Sequence, residues 1–274
     1  MTGLLPRALA SKGIRGREVV VSAMTRYFAN KSYMRGSSLI KARYESIKDT
    51  AEDSDMARSE TVNGIAILAN TVPTAFWTIF HIYSDPKLLT DVRRQVDGIT
   101  NISNDGRSRE IRISKLKDAT LIASALQEAL RHRATGTGPR MIMEDITIGD
   151  HLLRKGGIVI IANKALHFNS DDWGSDAEAF RAERFCEKTP AHAFRGFGGG
   201  VNLCPGKGFA TTEISAMVAM LVMRYDIRPV GGEWLEPGQD LTNMSLQIAP
   251  PGAMTKVGII PRSGYVDVGW KFVP

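Results

Sequence analysis

Phe194-Arg195-Gly196-Phe197-Gly198-Gly199-Gly200-Val201-Asn202-Leu203-Cys204-Pro205-Gly206-Lys207-Gly208-Phe209-Ala210 is the stretch that decides how the rest of the chain is read. A glycine-rich loop runs into a lone cysteine. Apolar residues then recur at Ile214, Met217, Val218, Leu221, Val222 and Tyr225, the three- and four-residue steps of a helix with one buried stripe. Pro205 suits a first helical turn, where a missing N–H costs nothing. Cys204 is therefore expected at or beside a helix N-terminus, where unpaired N–H groups and the positive end of the helix dipole favour a thiolate.

Glycines let a backbone approach a large flat group, and one anionic sulfur in such a loop suits a haem iron. Other readings compete. An isolated cysteine is also commonly a small buried hydrophobe. A phosphate-binding loop needs four residues between a glycine and Gly-Lys, then Ser or Thr. Here five residues separate Gly200 from Gly206-Lys207, and Gly208 follows, so that reading fails on spacing. A zinc site needs several Cys or His at close intervals, and Cys186 is too solitary a companion.

Phe197-x-x-Gly200-x-x-x-Cys204-x-Gly206 resembles the haem-binding signature of the cytochrome P450 superfamily. The fuller form Phe-Gly-Gly-Gly-x-x-x-Cys-Pro-Gly is similar to the branch containing sterol hydroxylases and prostacyclin synthase, including its fungal members. The resemblance implies that Cys204 is the axial thiolate ligand of a haem iron. It implies cofactor contacts at Phe197, Gly198, Gly200, Asn202 and Gly206. Asn202 stands where most of the superfamily carries Arg or His, which removes one cationic contact to a haem propionate.

A chain of 274 residues with 43% hydrophobic and 23% charged residues can bury a sizeable core. No internal boundary shows, so one domain over 1–274 is expected. The formal charge is a modest +6, and no Lys/Arg run is interleaved with aromatics, so nucleic acid is not an expected partner. Two cysteines make no disulfide framework, and an intracellular setting is the default. Met1 to Arg17 carries Arg7, Lys12, Arg15 and Arg17 with no acidic residue before Glu18, superficially like a mitochondrial transit peptide. Its apolar stretch is too short for a signal peptide or anchor. The order of motifs instead places this segment in the middle of a full-length family member.

Glu18 to Tyr44 reads as one or two amphipathic helices with Val19, Val20, Met24, Tyr27 and Phe28 on one side and a break at Gly36-Ser37-Ser38. Lys48 to Ser59 reads as a solvated connection. Thr61 to Ser84 lacks Lys, Arg, Asp and Glu and is long enough to cross a bilayer. Asn63, Asn70, Pro73, His81 and four threonines stand against a span but leave it open beside a buried core helix; the family motifs elsewhere in the chain decide for the core helix. Pro73 has no N–H for the carbonyl of Ala69, so a bend is expected there, beside Asn70 and Thr71. This segment looks like the long central helix of the family, with Asn70 in place of the usual acid and Thr71 in place of the threonine. Asn70 and Thr71 are the expected catalytic pair. An amide cannot shuttle protons as a carboxylate does, so proton delivery falls to Thr71 and water.

Asp85-Pro86 opens a helix through Val96, a polar loop follows from Gly98 to Arg109, and Lys115 to Arg133 is helical in pattern. Glu128 and Arg131 lie three apart and share a face. Ala182-Glu183-Arg184-Phe185 resembles the family's Pro-Glu-Arg-Phe segment, which implies a buried structural triad of Glu128, Arg131 and Arg184. Ile146-Thr147-Ile148 and Gly157 to Ile161 read as strands joined through Gly149-Asp150. Arg140 matches a position where the family sets an arginine on a haem propionate, for which its planar fork is suited. His167 reads as a hydrogen-bonded core histidine, and Leu246 to Ile260 as a hairpin around Pro250-Pro251-Gly252 that the resemblance points into a substrate pocket.

The fold expected is mainly α with small β-sheets, the C-terminal portion of a cytochrome P450. The resemblance implies a haem-thiolate monooxygenase that uses dioxygen to hydroxylate or epoxidise a lipophilic substrate such as a sterol, a terpenoid or another secondary metabolite. Electrons would come from NADPH through a reductase, with Lys188, Arg195 and Lys207 as a candidate docking face. Full-length relatives are expected at the endoplasmic reticulum membrane, facing the cytoplasm, with membrane association only for the full-length form. Two alternatives stand beside this: an isomerase working without external electrons, and a non-catalytic truncated remnant.

Overall fold

The computed structural model describes residues 11–104, 106–242 and 246–274. The first ten residues of the basic N-terminal stretch lie outside that range. Two compact units form, one up to Ala69 and one from Asn70 to Pro274.

In the first unit, α1 (Ser11–Ala29) and α2 (Ser38–Ile47) flank a short 3-10 turn. Ser37 caps α2, its hydroxyl accepting the N–H of Ile40 at 3.4 Å. The buried positions of α1 are Val21 and Phe28, whereas Val19 and Val20 face solvent. The seven-residue step from Val21 to Phe28 sets the inward stripe, and the two earlier valines fall off it. Phe28 stacks on Tyr44, whose ring centroid lies 3.9 Å from that of Tyr33.

Helix α3 (Asp53–Ser84) begins inside the stretch expected to be a solvated connection. Asp53 and Asp55 interact favourably with the helix dipole in its first turn, and Met56 and Ala57 are buried. The helix runs through Pro73. Among the described residues it alone is long and apolar enough to cross a bilayer, with mean hydropathy 1.4 over its apolar window, 39% of which is buried. Its C-terminal half is core to the second unit: Trp77, Thr78 and Ile82 have no exposed surface.

Around that half pack α4 (Pro86–Gly98), α5 (Thr120–His132) and α8 (Lys207–Arg224). Asp85 caps α4, accepting from the N–H groups of Lys87 and Leu88, and Pro86 occupies the first helical position. Val92, Val96, Ile122, Leu126, Ala129, Ile214, Val218 and Val222 interlock as one core. Met217 is exposed and Tyr225 already starts a strand, so the buried stripe of α8 is narrower than its periodicity suggested. Arg93 closes the C-terminus of α8, donating to the carbonyls of Val222 at 2.8 Å and Tyr225 at 2.9 Å.

The sheets are small. β1 (Thr100–Ile102) pairs antiparallel with β2 (Ser108–Arg112), which pairs parallel with β9 (Gly269–Val273); β1 lies within the loop expected from Gly98 to Arg109, and β2 begins inside it and runs on to Arg112. β3 (Thr137–Met141) pairs with β6 (Ile158–Ala162), β4 (Ile146–Ile148) with β5 (His151–Leu153), and β7 (Tyr225–Pro229) with β8 (Val257–Pro261). The turn at Gly149-Asp150 therefore folds β4 back on residues 151–153 rather than on 157–161. Gly149 takes the left-handed conformation, φ +57°, that a two-residue hairpin turn requires. The stretch from Leu246 to Ile260 is not one hairpin. Ile248 bridges Ala134, Pro251 bridges Gln239, and β8 goes to β7. Burial decides this: Ile248 and Ala249 are each 1% exposed, which holds them on the segment after α5. Two short helices, α6 (Asn163–His167) and α7 (Ser170–Trp173), lead towards the cysteine loop.

Candidate functional site

The cysteine loop is shaped by its own backbone. The N–H of Cys204 donates to the carbonyl of Phe197 at 2.9 Å, that of Gly198 to Arg195 at 2.9 Å, and that of Leu203 to Gly200 at 3.2 Å. Gly198 and Gly200 hold φ of +75° and +62°, and a Cβ on Gly198 would lie 3.2 Å from the carbonyl oxygen of Asn202. The N–H of Lys207 closes a turn on the carbonyl of Cys204 at 3.3 Å. That turn consumes Pro205 and Gly206, so α8 begins at Lys207 with Gly206 as its cap, and Pro205 lies just outside the first turn. The Cys204 thiol is exposed and has no hydrogen-bond partner among the described residues. Phe197 packs against the core.

A buried ionic centre fixes the approach to this loop. Arg131 donates Nε and Nη2 to the two carboxylate oxygens of Glu128, both at 2.7 Å, and Arg184 Nε reaches Glu128 Oε1 at 3.1 Å. Glu128 and Arg131 have no exposed surface, and Arg184 has 5%. Such charges survive burial only when fully paired. The remaining donors are accounted for: Arg131 Nη1 donates to the carbonyls of His167 and Ala177, and Arg184 reaches Asp176 and the carbonyl of Trp173. The N–H of Arg181 also donates to Glu128 Oε1 at 3.0 Å. The Arg184 guanidinium, with Arg181, holds the Asp176 carboxyl below the usual carboxylate range.

His167 joins this centre to the loop. Its Nδ1 lies 2.9 Å from the carbonyl of Arg131, and its Nε2 accepts the N–H of Arg195 at 2.8 Å. Burial pushes its pKa down to about 4, so the ring is neutral, with the proton on Nδ1.

Asn70 and Thr71 lie in α3. Asn70 Oδ1 accepts the N–H groups of Gln247 at 3.0 Å and Ile248 at 3.4 Å, and its backbone carbonyl accepts the hydroxyl of Thr74 at 2.7 Å. Thr61, Thr74 and Thr78 each give their hydroxyl to the carbonyl four residues earlier. The Thr71 hydroxyl has no hydrogen-bond partner among the described residues. Arg140 lies within β3, opposite Val159, with its side chain exposed and Nη1 on the carbonyl of Pro139 at 2.9 Å. Neither Arg140 nor the Asn70–Thr71 pair makes a hydrogen bond or ion pair with the cysteine loop among the described residues. Lys188 and Lys207 are exposed, while Arg195 is half-buried with Nη1 on the carbonyls of Ala191 and Phe194.

Comparison with known proteins agrees with these features. A family profile described as Cytochrome P450 matches residues 30–257. The chain belongs to the cytochrome P450 family. It is 31% identical over 287 aligned residues to the cytochrome P450 monooxygenase nodJ of Hypoxylon pulicicidum, covering 98% of this chain and 56% of that protein. It is 32% identical to a cytochrome P450 monooxygenase of Gibberella zeae, covering 75% of this chain and 43% of the relative. The 24-hydroxycholesterol 7-alpha-hydroxylase of Mus musculus is 30% identical over 59% of this chain and 35% of its own length. The chain spans about half the length of the curated relatives it matches.

Membership of the P450 family implies a haem, and the residues present fit one. The described residues contain no group of three or more His, Cys, Asp or Glu that could hold a metal ion. Beside the unpartnered thiol, Val201, Leu203 and Phe209 expose apolar side chains that a flat apolar cofactor would cover. Arg140 has no acidic partner among the described residues, and its one hydrogen bond is from Nη1 to the carbonyl of Pro139.

Sequence reasoning missed the joining role of His167 and the second acid, Asp176. A histidine followed by a Trp-Gly-Ser-Asp run has no periodicity that announces either. It also missed Arg133, which is 3% exposed, sits 3.8 Å from the Trp77 ring and pairs with Glu236 at 2.7 Å.

Proposed function

We propose that the chain carries the haem-thiolate centre of a monooxygenase acting on a lipophilic small molecule, a sterol or a secondary metabolite. The observation that carries this is the exposed, unpartnered Cys204 thiol, in a glycine-rich loop whose approach is fixed by His167 and the Glu128 centre. Cys204 Sγ is the ligand to iron, and Arg140 binds a propionate. The bound haem supplies reductive activation of dioxygen and transfer of one oxygen atom to substrate. Thr71, with its hydroxyl uncommitted, holds the water that delivers protons, a task the Asn70 amide cannot perform. Electrons come from NADPH through a reductase. The names of the relatives, fungal monooxygenases and a hydroxylase of a cholesterol derivative, support the substrate class.

The amide at Asn70 favours one second reading, an isomerase that rearranges a peroxide substrate without external electrons. Turnover separates the two. The monooxygenase requires reductase, NADPH and dioxygen, whereas the isomerase works on peroxide alone. A chain that takes up no haem on titration is a remnant and neither enzyme.

A further inference from the structure

We infer that Asn70 is a positioning residue, which clasps two consecutive backbone N–H groups and so sets where the strut Gln247–Ala249 stands relative to Thr71. The inference rests on the proposed function only in giving Thr71 a catalytic task; the clasp itself is independent of haem.

Asn70 is held at two atoms. Its backbone carbonyl takes the Thr74 hydroxyl at 2.7 Å, and its Oδ1 takes the N–H groups of Gln247 at 3.0 Å and Ile248 at 3.4 Å. One oxygen that receives two successive amides has both lone pairs occupied. The rest of the strut is bonded from the other side. The carbonyl of Gln247 accepts from Thr135 at 3.0 Å and Gly136 at 3.3 Å, and Ile248 bridges Ala134. The N–H of Ala249 donates to Arg133 at 3.1 Å, while its carbonyl accepts Trp77 Nε1 at 2.8 Å. Trp77 and Asn70 lie on the same helix two turns apart, so α3 grips the strut at both ends. Arg133–Gly136 backs it.

The geometry calls for an acceptor at position 70 and makes no use of an acid. Asp offers the same oxygen to the same two donors, whereas Leu matches the shape of Asn and offers none. Because Thr71 is the next residue, losing the clasp lets the strut move against the hydroxyl's surroundings without touching the hydroxyl itself. Asn70 therefore governs substrate fit more than proton delivery.

Amide hydrogen exchange on the full chain tests this. In Asn70→Leu, exchange at Gln247 and Ile248 should rise roughly three- to tenfold, the range expected for one lost hydrogen bond, while Ala249, held by Arg133, changes little. Asn70→Asp should keep both amides protected. In the haem-loaded protein, Asn70→Leu should raise KM by a larger factor than it lowers kcat, and Asn70→Asp should restore KM. Unchanged exchange at residues 247 and 248 in Asn70→Leu would overturn the proposal, as would loss of their protection in Asn70→Asp should the leucine variant fail to fold. A fall in kcat with unaltered exchange would return Asn70 to the proton path. Absence of haem uptake would defeat the proposed function and leave the exchange result standing.

Discussion

The imidazole of His167 holds the backbone N–H of Arg195 at 2.8 Å through Nε2, while its Nδ1 sits 2.9 Å from the carbonyl of Arg131. One neutral ring thus ties the first residues of the cysteine loop to the buried ionic centre. Protonation would leave Nε2 and the Arg195 N–H as two facing donors.

That arrangement sets a pH dependence. Burial lowers the folded-state pKa of His167 to about 4, against an ordinary value of 6.5. The unfolded chain therefore binds more protons between those values, so stability rises with pH across the window. The contribution, on the order of 3 kcal/mol, is complete above about pH 6.5 and is lost as pH falls towards 4. His81, pushed down to about 3 by burial and by the Arg133 charge, extends the loss further into acid. Urea unfolding at a series of pH values should show this slope, and His167→Ala should be less stable at pH 7 and flatter between pH 6.5 and 4. An unchanged slope in that variant would refute the assignment.

The ionic centre should respond unequally to its two acids. Glu128→Ala leaves two guanidinium groups buried without their shared carboxylate, a loss of about 3–5 kcal/mol. Asp176 is 39% exposed, and water can replace it, so Asp176→Ala should cost about 1 kcal/mol or less. Chemical denaturation of both variants checks the ratio; equal losses would mean that Asp176 is the principal partner of Arg184.

Gly198 and Gly208 offer a paired test of the loop. Alanine at 198 would be forced into a left-handed conformation with its Cβ 3.2 Å from the Asn202 carbonyl, a cost of about 1–2 kcal/mol. Alanine at 208, at the start of α8 with nothing within 4 Å, should be neutral or stabilising by about 0.5 kcal/mol. Thermal melting of the two variants should move in opposite directions or separate clearly.

Local patterns in the sequence carried much of this. Asp85-Pro86 marks a helix start because cap and first-turn proline act within four residues. The spacing of Glu128 and Arg131 puts them on one face, and the glycines before Cys204 mark a loop. None of these reveals a partner distant in sequence. That Ile248 lies on Ala134 depends on which apolar side chains find a core, whereas residues 146–148 fold onto 151–153 through a two-residue turn although their side chains stay exposed. The start of α3 was hidden because its first two turns are acidic outside and bury no apolar residue besides Met56 and Ala57. The clasp at Asn70 was illegible for the same reason: its two donors lie far along the chain, and backbone N–H groups leave no mark on a sequence.

The central claim is that one sulfur, Cys204 Sγ, binds the iron. A carbon-monoxide difference spectrum of the reduced, haem-loaded chain tests it most directly, with Cys204→Ser and Cys186→Ser as the two variants. The red-shifted Soret band of a thiolate ligand is expected in the parent chain and in Cys186→Ser, and its loss in Cys204→Ser. A band that survives in Cys204→Ser, or disappears in Cys186→Ser, would contradict the claim.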